Sequence, residues 1–188
     1  MMKNLFQILC GLFLVVSYSS CMHSEEDKVD VLIIGGGASG VTSGIQSARM
    51  GANTLILEES TWLGGMLTSA GVSAVDGNYR LPAGLWGEFK NRLSDYYGGL
   101  DSLKTGWVSN VLFEPSVGNK ILHEMVAAEN NLKVWKQACL EEVKRTGDEW
   151  VAKVKVEGQG VKTVRAKVMI DATELGDVAK MCGVKYDI

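Results

Sequence analysis

The chain has 188 residues, 46% of them hydrophobic, with 19 Lys and Arg against 22 Asp and Glu and a net charge of −3. A mildly acidic chain without a basic block gives nucleic-acid binding no electrostatic support. With only His23 and His123, no histidine metal cluster can form.

The N-terminus opens with Lys3 and the apolar run Leu5–Val16. That run is shorter than the roughly 20 residues a membrane span needs, and it fits the apolar region of a secretory signal peptide. Ser17, Ser19 and Ser20 then precede Cys21. Small residues before a cysteine at this point resemble a bacterial lipoprotein cleavage site, and Tyr18 departs from the leucine usual there. The expectation is a lipoprotein-type signal peptide over residues 1–20, lipidation at Cys21 and a membrane partner through that anchor. The alternatives are a plain cleaved signal and an uncleaved anchor. Localisation would be periplasmic or at the outer membrane of a Gram-negative bacterium. Residues 21–29, with Glu25, Glu26 and Asp27, read as an acidic tether. No twin-arginine pair precedes the apolar run, so any cofactor would be acquired after export. Removing the leader leaves enough chain for one domain with a real core.

Asp30–Ile34 reads as a buried strand entering the turn Gly35-Gly36-Gly37-Ala38-Ser39-Gly40 and then a helix. A second apolar strand, Asn53–Leu57, ends at Glu58. Strand, G-x-G-x-x-G, helix, strand and acid form a dinucleotide-binding unit. Gly35 permits the tight turn, Gly37 admits a pyrophosphate to the backbone, and Gly40 lets helix and strand approach. The amides opening the helix, at Ala38 and Ser39, face the phosphates with the positive end of the helix dipole. Glu58 stands where a ribose hydroxyl needs an acceptor. The residues between Gly40 and Glu58, 41–57, give a spacing close to the expected ~20.

Trp62-Leu63-Gly64-Gly65-Met66-Leu67-Thr68 follows. Together with the first unit, this stretch resembles the FAD-dependent oxidoreductases of the glutathione-reductase structural superfamily. It is most similar to a bacterial family with a Leu-Gly-Gly-Met-Leu-Thr signature after the ribose acid. The resemblance implies FAD as cofactor, with Gly64, Gly65 and Met66 near its pyrophosphate and ribityl chain.

Leu85, Trp86, Phe89 and Leu93 make one apolar helical face, and Val117, Ile121, Leu122, Met125 and Val126 make another, with Pro115 near its start. Both read as core. Leu132–Lys136 reads as the next strand. Cys139–Arg145, Trp150–Val156 and Val161–Ala166 follow as a three-stranded meander, with turns at Thr146-Gly147-Asp148 and Gly158-Gln159-Gly160. In the family such a meander brings the backbone near Leu140 toward adenine. Val168–Thr173 reads as a further strand. The resemblance implies cofactor contacts at Ala172 and Thr173, but Glu174 stands where an Ala-Thr-Gly ending would place glycine. Cys139 and Cys182 read as two buried free thiols, with a disulfide as the alternative.

The fold expected is α/β: a Rossmann-like FAD/NAD(P)-binding domain over 30–188, with a parallel sheet, helices and the meander, incomplete at its C-terminus. The chain ends at Ile188, and the resemblance implies a substrate region and a final flavin-facing segment beyond it. Function reads as the FAD-binding part of an exported oxidoreductase that transfers hydride from an unknown substrate to flavin. The alternatives are a nucleotide-binding remnant without turnover and an NAD-dependent dehydrogenase. Some relatives carry a xanthan lyase label, for which no Tyr/His/Arg constellation is present. No catalytic acid or base can be named.

Overall fold

The computed structural model describes residues 26–75, 77, 79–104 and 109–185. The expected leader, Cys21 and the tether through Glu25 lie outside them. In chain order the elements are β1 (Glu26–Ile34), α1 (Ala38–Arg49), β2 (Thr54–Glu58), α2 (Gly84–Tyr97), α3 (Pro115–Ala127), β3 (Leu132–Lys136), β4 (Ala138–Thr146), β5 (Glu149–Val156), β6 (Gly160–Asp171) and α4 (Asp177–Met181). Short 3-10 turns occupy Gly65–Leu67 and Leu100–Leu103.

One six-stranded sheet runs in the order β3-β2-β1-β6-β5-β4. The pairs β3–β2, β2–β1 and β1–β6 are parallel, and β6–β5 and β5–β4 are antiparallel. The central strands carry uninterrupted apolar runs because both of their faces are covered. Ile33 and Ile56 face α1, α2 and α3, where they join Val41, Ile45, Phe89, Leu93, Ile121 and Met125 in one core. Leu32, Ile34, Leu55 and Leu57 point the other way, against Leu140, Ala152, Val154 and Val164. The antiparallel half therefore folds back over the second face. Pro115 opens α3 as expected, where its missing N–H costs nothing. Arg49 at the end of α1 bonds Glu88 of α2 at 2.9 Å and Glu129 beyond α3 at 2.7 Å, which ties the helical layer together.

Three expectations change. The first strand begins at Glu26, not Asp30, so residues 26–29 are sheet and not tether. Glu26–Val29 pair with Thr163–Ala166, and Arg165 holds Glu26 at 2.9 and 3.1 Å. Cationic partners on the neighbouring strand let an acidic stretch join the ladder. Second, the last two expected strands are a single strand, β6. Its first half pairs with β5 and its whole length from Thr163 pairs with β1. Third, Cys139 and Cys182 are free, as expected, but exposed. Ala138 and Leu140 take the inward positions of β4, so the strand alternation turns Cys139 out. Its thiol sits 3.3 Å from Glu59 Oε1. Partial burial and that carboxylate push the thiol pKa up, which disfavours the reactive thiolate.

Candidate functional site

The carboxyl ends of β1, β2 and β6 open into one cleft of about 420 Å³. This is where parallel α/β sheets hold ligands. Three loops meet there, and glycine is required at the contacts. Gly35 has φ +104°, and a Cβ on it would lie 2.4 Å from Ala172 O. A Cβ on Gly40 would fall 1.8 Å from Gly35 O. The Gly64–Gly65 turn docks onto this loop through a Gly64 N–H bond to Gly36 O at 2.8 Å.

Gly37 is different. Its backbone is extended, at φ −64° and ψ −175°, and none of the described residues lies within 4 Å of where its Cβ would project. It is the N-cap of α1, which has no side-chain cap bond and no acid in its first turn. Val41 N–H bonds Gly37 O at 2.9 Å, so the amides of residues 38–40 point outward from the helix end. An open backbone slot facing an uncompensated helix dipole fits a phosphate group.

Glu58 ends β2 beside this slot. Its Oε2 accepts from Gly36 N–H at 2.8 Å and its Oε1 from Ser60 N–H at 2.7 Å. Each carboxylate oxygen keeps a further lone pair for a ligand hydroxyl. The opposite wall is the end of β6. Asp171 there receives Thr173 N–H at 3.0 Å, Thr173 Oγ1–H at 2.6 Å and Ala179 N–H at 2.8 Å. Burial raises the Asp171 pKa, but these bonds outweigh it and hold the carboxyl below its ordinary value. A depressed carboxyl pKa stabilises the fold above the unfolded value of about 3.9, and that stabilisation disappears as pH falls through the lower, folded value. The expected result is that Asp171→Asn melts lower than the wild type near pH 6. The difference should shrink as melts are taken toward about pH 3.

Of the residues singled out from sequence, Gly35, Gly37, Glu58, Gly65, Leu140, Ala172 and Thr173 line the cleft. Gly40 and Gly64 act behind it, as packing points. Ala38 and Ser39 line an apolar groove against Trp86, Phe89 and Met125 instead. Met66 is 57% exposed and does not line the cleft. Its place beside two glycines sets its backbone, not the direction of its side chain. His123 bonds Asn119 O at 2.9 Å and stays outside the cleft. The cleft also includes Gly36, Glu59, Ser69, Ala70, Ala138, Glu174, Leu175 and Asp177, which the sequence reading did not assign. Gly36, Glu59 and Glu174 sit next to assigned residues and the other five lie within four positions of one, so carrying each motif a few residues further would have reached them.

The family of FAD dependent oxidoreductases matches residues 30–188, and the chain belongs to this family. Its cofactor is FAD. No curated protein matches the chain. Among solved structures, p-nitrophenol 4-monooxygenase PnpA from Pseudomonas putida DLL-E4 is 14% identical at a TM-score of 0.57, over 86% of this chain and 45% of that one. A flavoprotein/dehydrogenase from Cytophaga hutchinsonii is 20% identical at 0.54, over 84% and 42%. A geranylgeranyl bacteriochlorophyll reductase-like protein from Thermoplasma acidophilum is 20% identical at 0.55, over 85% and 43%. At these identities the likeness is one of fold. The chain spans less than half the length of each.

Proposed function

We propose that the chain is the FAD-binding part of an exported oxidoreductase, with the dinucleotide laid along the cleft between Glu58 and the end of β6. The observation that carries this reading is the open slot at Gly37, set against the unopposed N-terminus of α1. Gly37 and the amides of residues 38–40 would hold the pyrophosphate. Glu58 would accept from the ribose, with Ala138 and Leu140 flooring the adenine side. Gly65, Ala172 and Thr173 would flank the ribityl chain. Bound flavin supplies hydride acceptance, and the protein contributes orientation and exclusion of water. The substrate that gives up the hydride is unassigned. The reading extends to a lipid anchor at Cys21 in a periplasmic or outer-membrane setting, supported by the small residues before that cysteine.

The deciding experiment is an FAD titration followed by flavin fluorescence and a thermal melt. Saturable binding with a raised Tm is expected, because a ligand selective for the folded state stabilises it. A folded protein that ignores FAD would refute the proposal. Palmitate labelling that survives a Cys21→Ser change would refute the anchor.

A further inference from the structure

Among the described residues, every charged side chain that lines the cleft is acidic: Glu58, Glu59, Glu174 and Asp177. Two of these carboxylates are engaged locally: Glu58 accepts two backbone amides and Glu59 accepts the Cys139 thiol. At Asp177 the backbone amide, not the carboxylate, bonds Thr173 Oγ1 as α4 opens. The carboxylates of Glu174 and Asp177 have neither a hydrogen bond nor an ion pair among the described residues. Of the two, Glu174 is placed against the glycine loops: its Oε1 lies 3.9 Å from where a Cβ on Gly65 would stand, and Gly37 Cα lies 3.1 Å from the same point. An unpaired carboxylate therefore stands at the Gly65 edge of the cleft, beside the slot at Gly37. Lys155, which faces Glu59 and Cys139, lies in a neighbouring surface depression and not in the cleft.

We infer that Glu174 is a specificity-determining residue whose unpaired negative charge selects against phosphate charge on the ligand. This rests on the reading of the cleft as the FAD site. The helix end and backbone amides attract one diphosphate. Glu174 opposes it, and the summed repulsion grows with each added phosphate, so the cleft favours dinucleotides of low negative charge. The interaction crosses solvent, so it is modest and screened by salt.

The test is FAD titration of wild type, Glu174→Gln and the control Glu124→Gln, at low ionic strength and in KCl of about 0.5 M. The control removes the same charge from the exposed outer surface of α3, where Glu124 pairs with Lys120 at 3.7 Å. Glu174→Gln is expected to bind FAD about threefold to tenfold more tightly at low salt, with the gap closing at high salt. Glu124→Gln should follow the wild type. Weaker or unchanged FAD binding by Glu174→Gln would overturn the inference and leave the site itself standing, since weaker binding would make the carboxylate a hydroxyl acceptor. A gap that persists in high salt would overturn it too. No binding by any of the three folded proteins would overturn the reading of the cleft together with the inference.

Discussion

Gly37→Val is expected to yield a folded protein that no longer retains FAD. The backbone at Gly37 is extended, in a region open to β-branched residues, and the space its side chain would enter is empty of the described residues. The fold should therefore lose only about 1 kcal/mol, for a valine at an N-cap. The same empty space is the phosphate slot. An isopropyl group there would hold the pyrophosphate off the amides of residues 38–40 and forfeit the helix-end interaction. FAD affinity should fall at least about 100-fold, or some 2.7 kcal/mol. A near-normal melt beside lost flavin binding is the signature. Undiminished affinity would put the pyrophosphate elsewhere.

Gly40→Ala should behave in the opposite way. Alanine in place of glycine within a helix ordinarily stabilises by about 1 kcal/mol. Here the new methyl would lie 1.8 Å from Gly35 O and 2.9 Å from Gly35 C, with Ala172 Cβ at 3.3 Å. The first two are backbone atoms that no rotamer change can move. Relief requires α1 to lift from β1, which separates Val41 and Ile45 from Ile33 and Ile56. A loss of about 3–5 kcal/mol is expected, a fall in Tm of roughly 6–20 °C for a domain of this size. A protein as stable as the wild type would show that the helix is not seated on the strand as described. The two glycines stand three positions apart in one motif, yet one is needed for the ligand and the other for the fold.

The sequence distinguishes these roles only in outline. The first strand-turn-helix was legible because a strand buried on both faces reads as a continuous apolar run, and because the glycine spacing matched a known physical need. The meander was legible from alternation in Trp150–Val156, where one face meets the core. The length of β6 was not. Val164-Arg165-Ala166 alternates and Val168-Met169-Ile170 does not, which looks like two strands. The change in pattern reflects a change of surroundings, since only the first half pairs with β5, and the chain continues straight through it. The outward turn of Cys139 was readable from the phase of Ala138 and Leu140, but was masked by treating cysteine as a core residue. Glu174 was missed for a different reason. Expecting glycine there made the carboxylate look like an obstacle to the cofactor instead of part of the wall. Its lack of a partner depends on the fold around residues 171–179, which local sequence does not encode.

The two amide bonds to Glu58 carry a consequence for the rate of binding. With Gly36 and Ser60 already fastened to that carboxylate, the phosphate loop takes its shape when the protein folds and does not wait for a ligand. Less loop entropy is left to be lost when the dinucleotide arrives, so more of the contact energy remains as affinity. Encounter then needs no preceding isomerisation of this loop. Observed association rates should rise in proportion to FAD concentration without reaching a plateau. The Gly36 amide should exchange slowly with solvent even in the ligand-free protein.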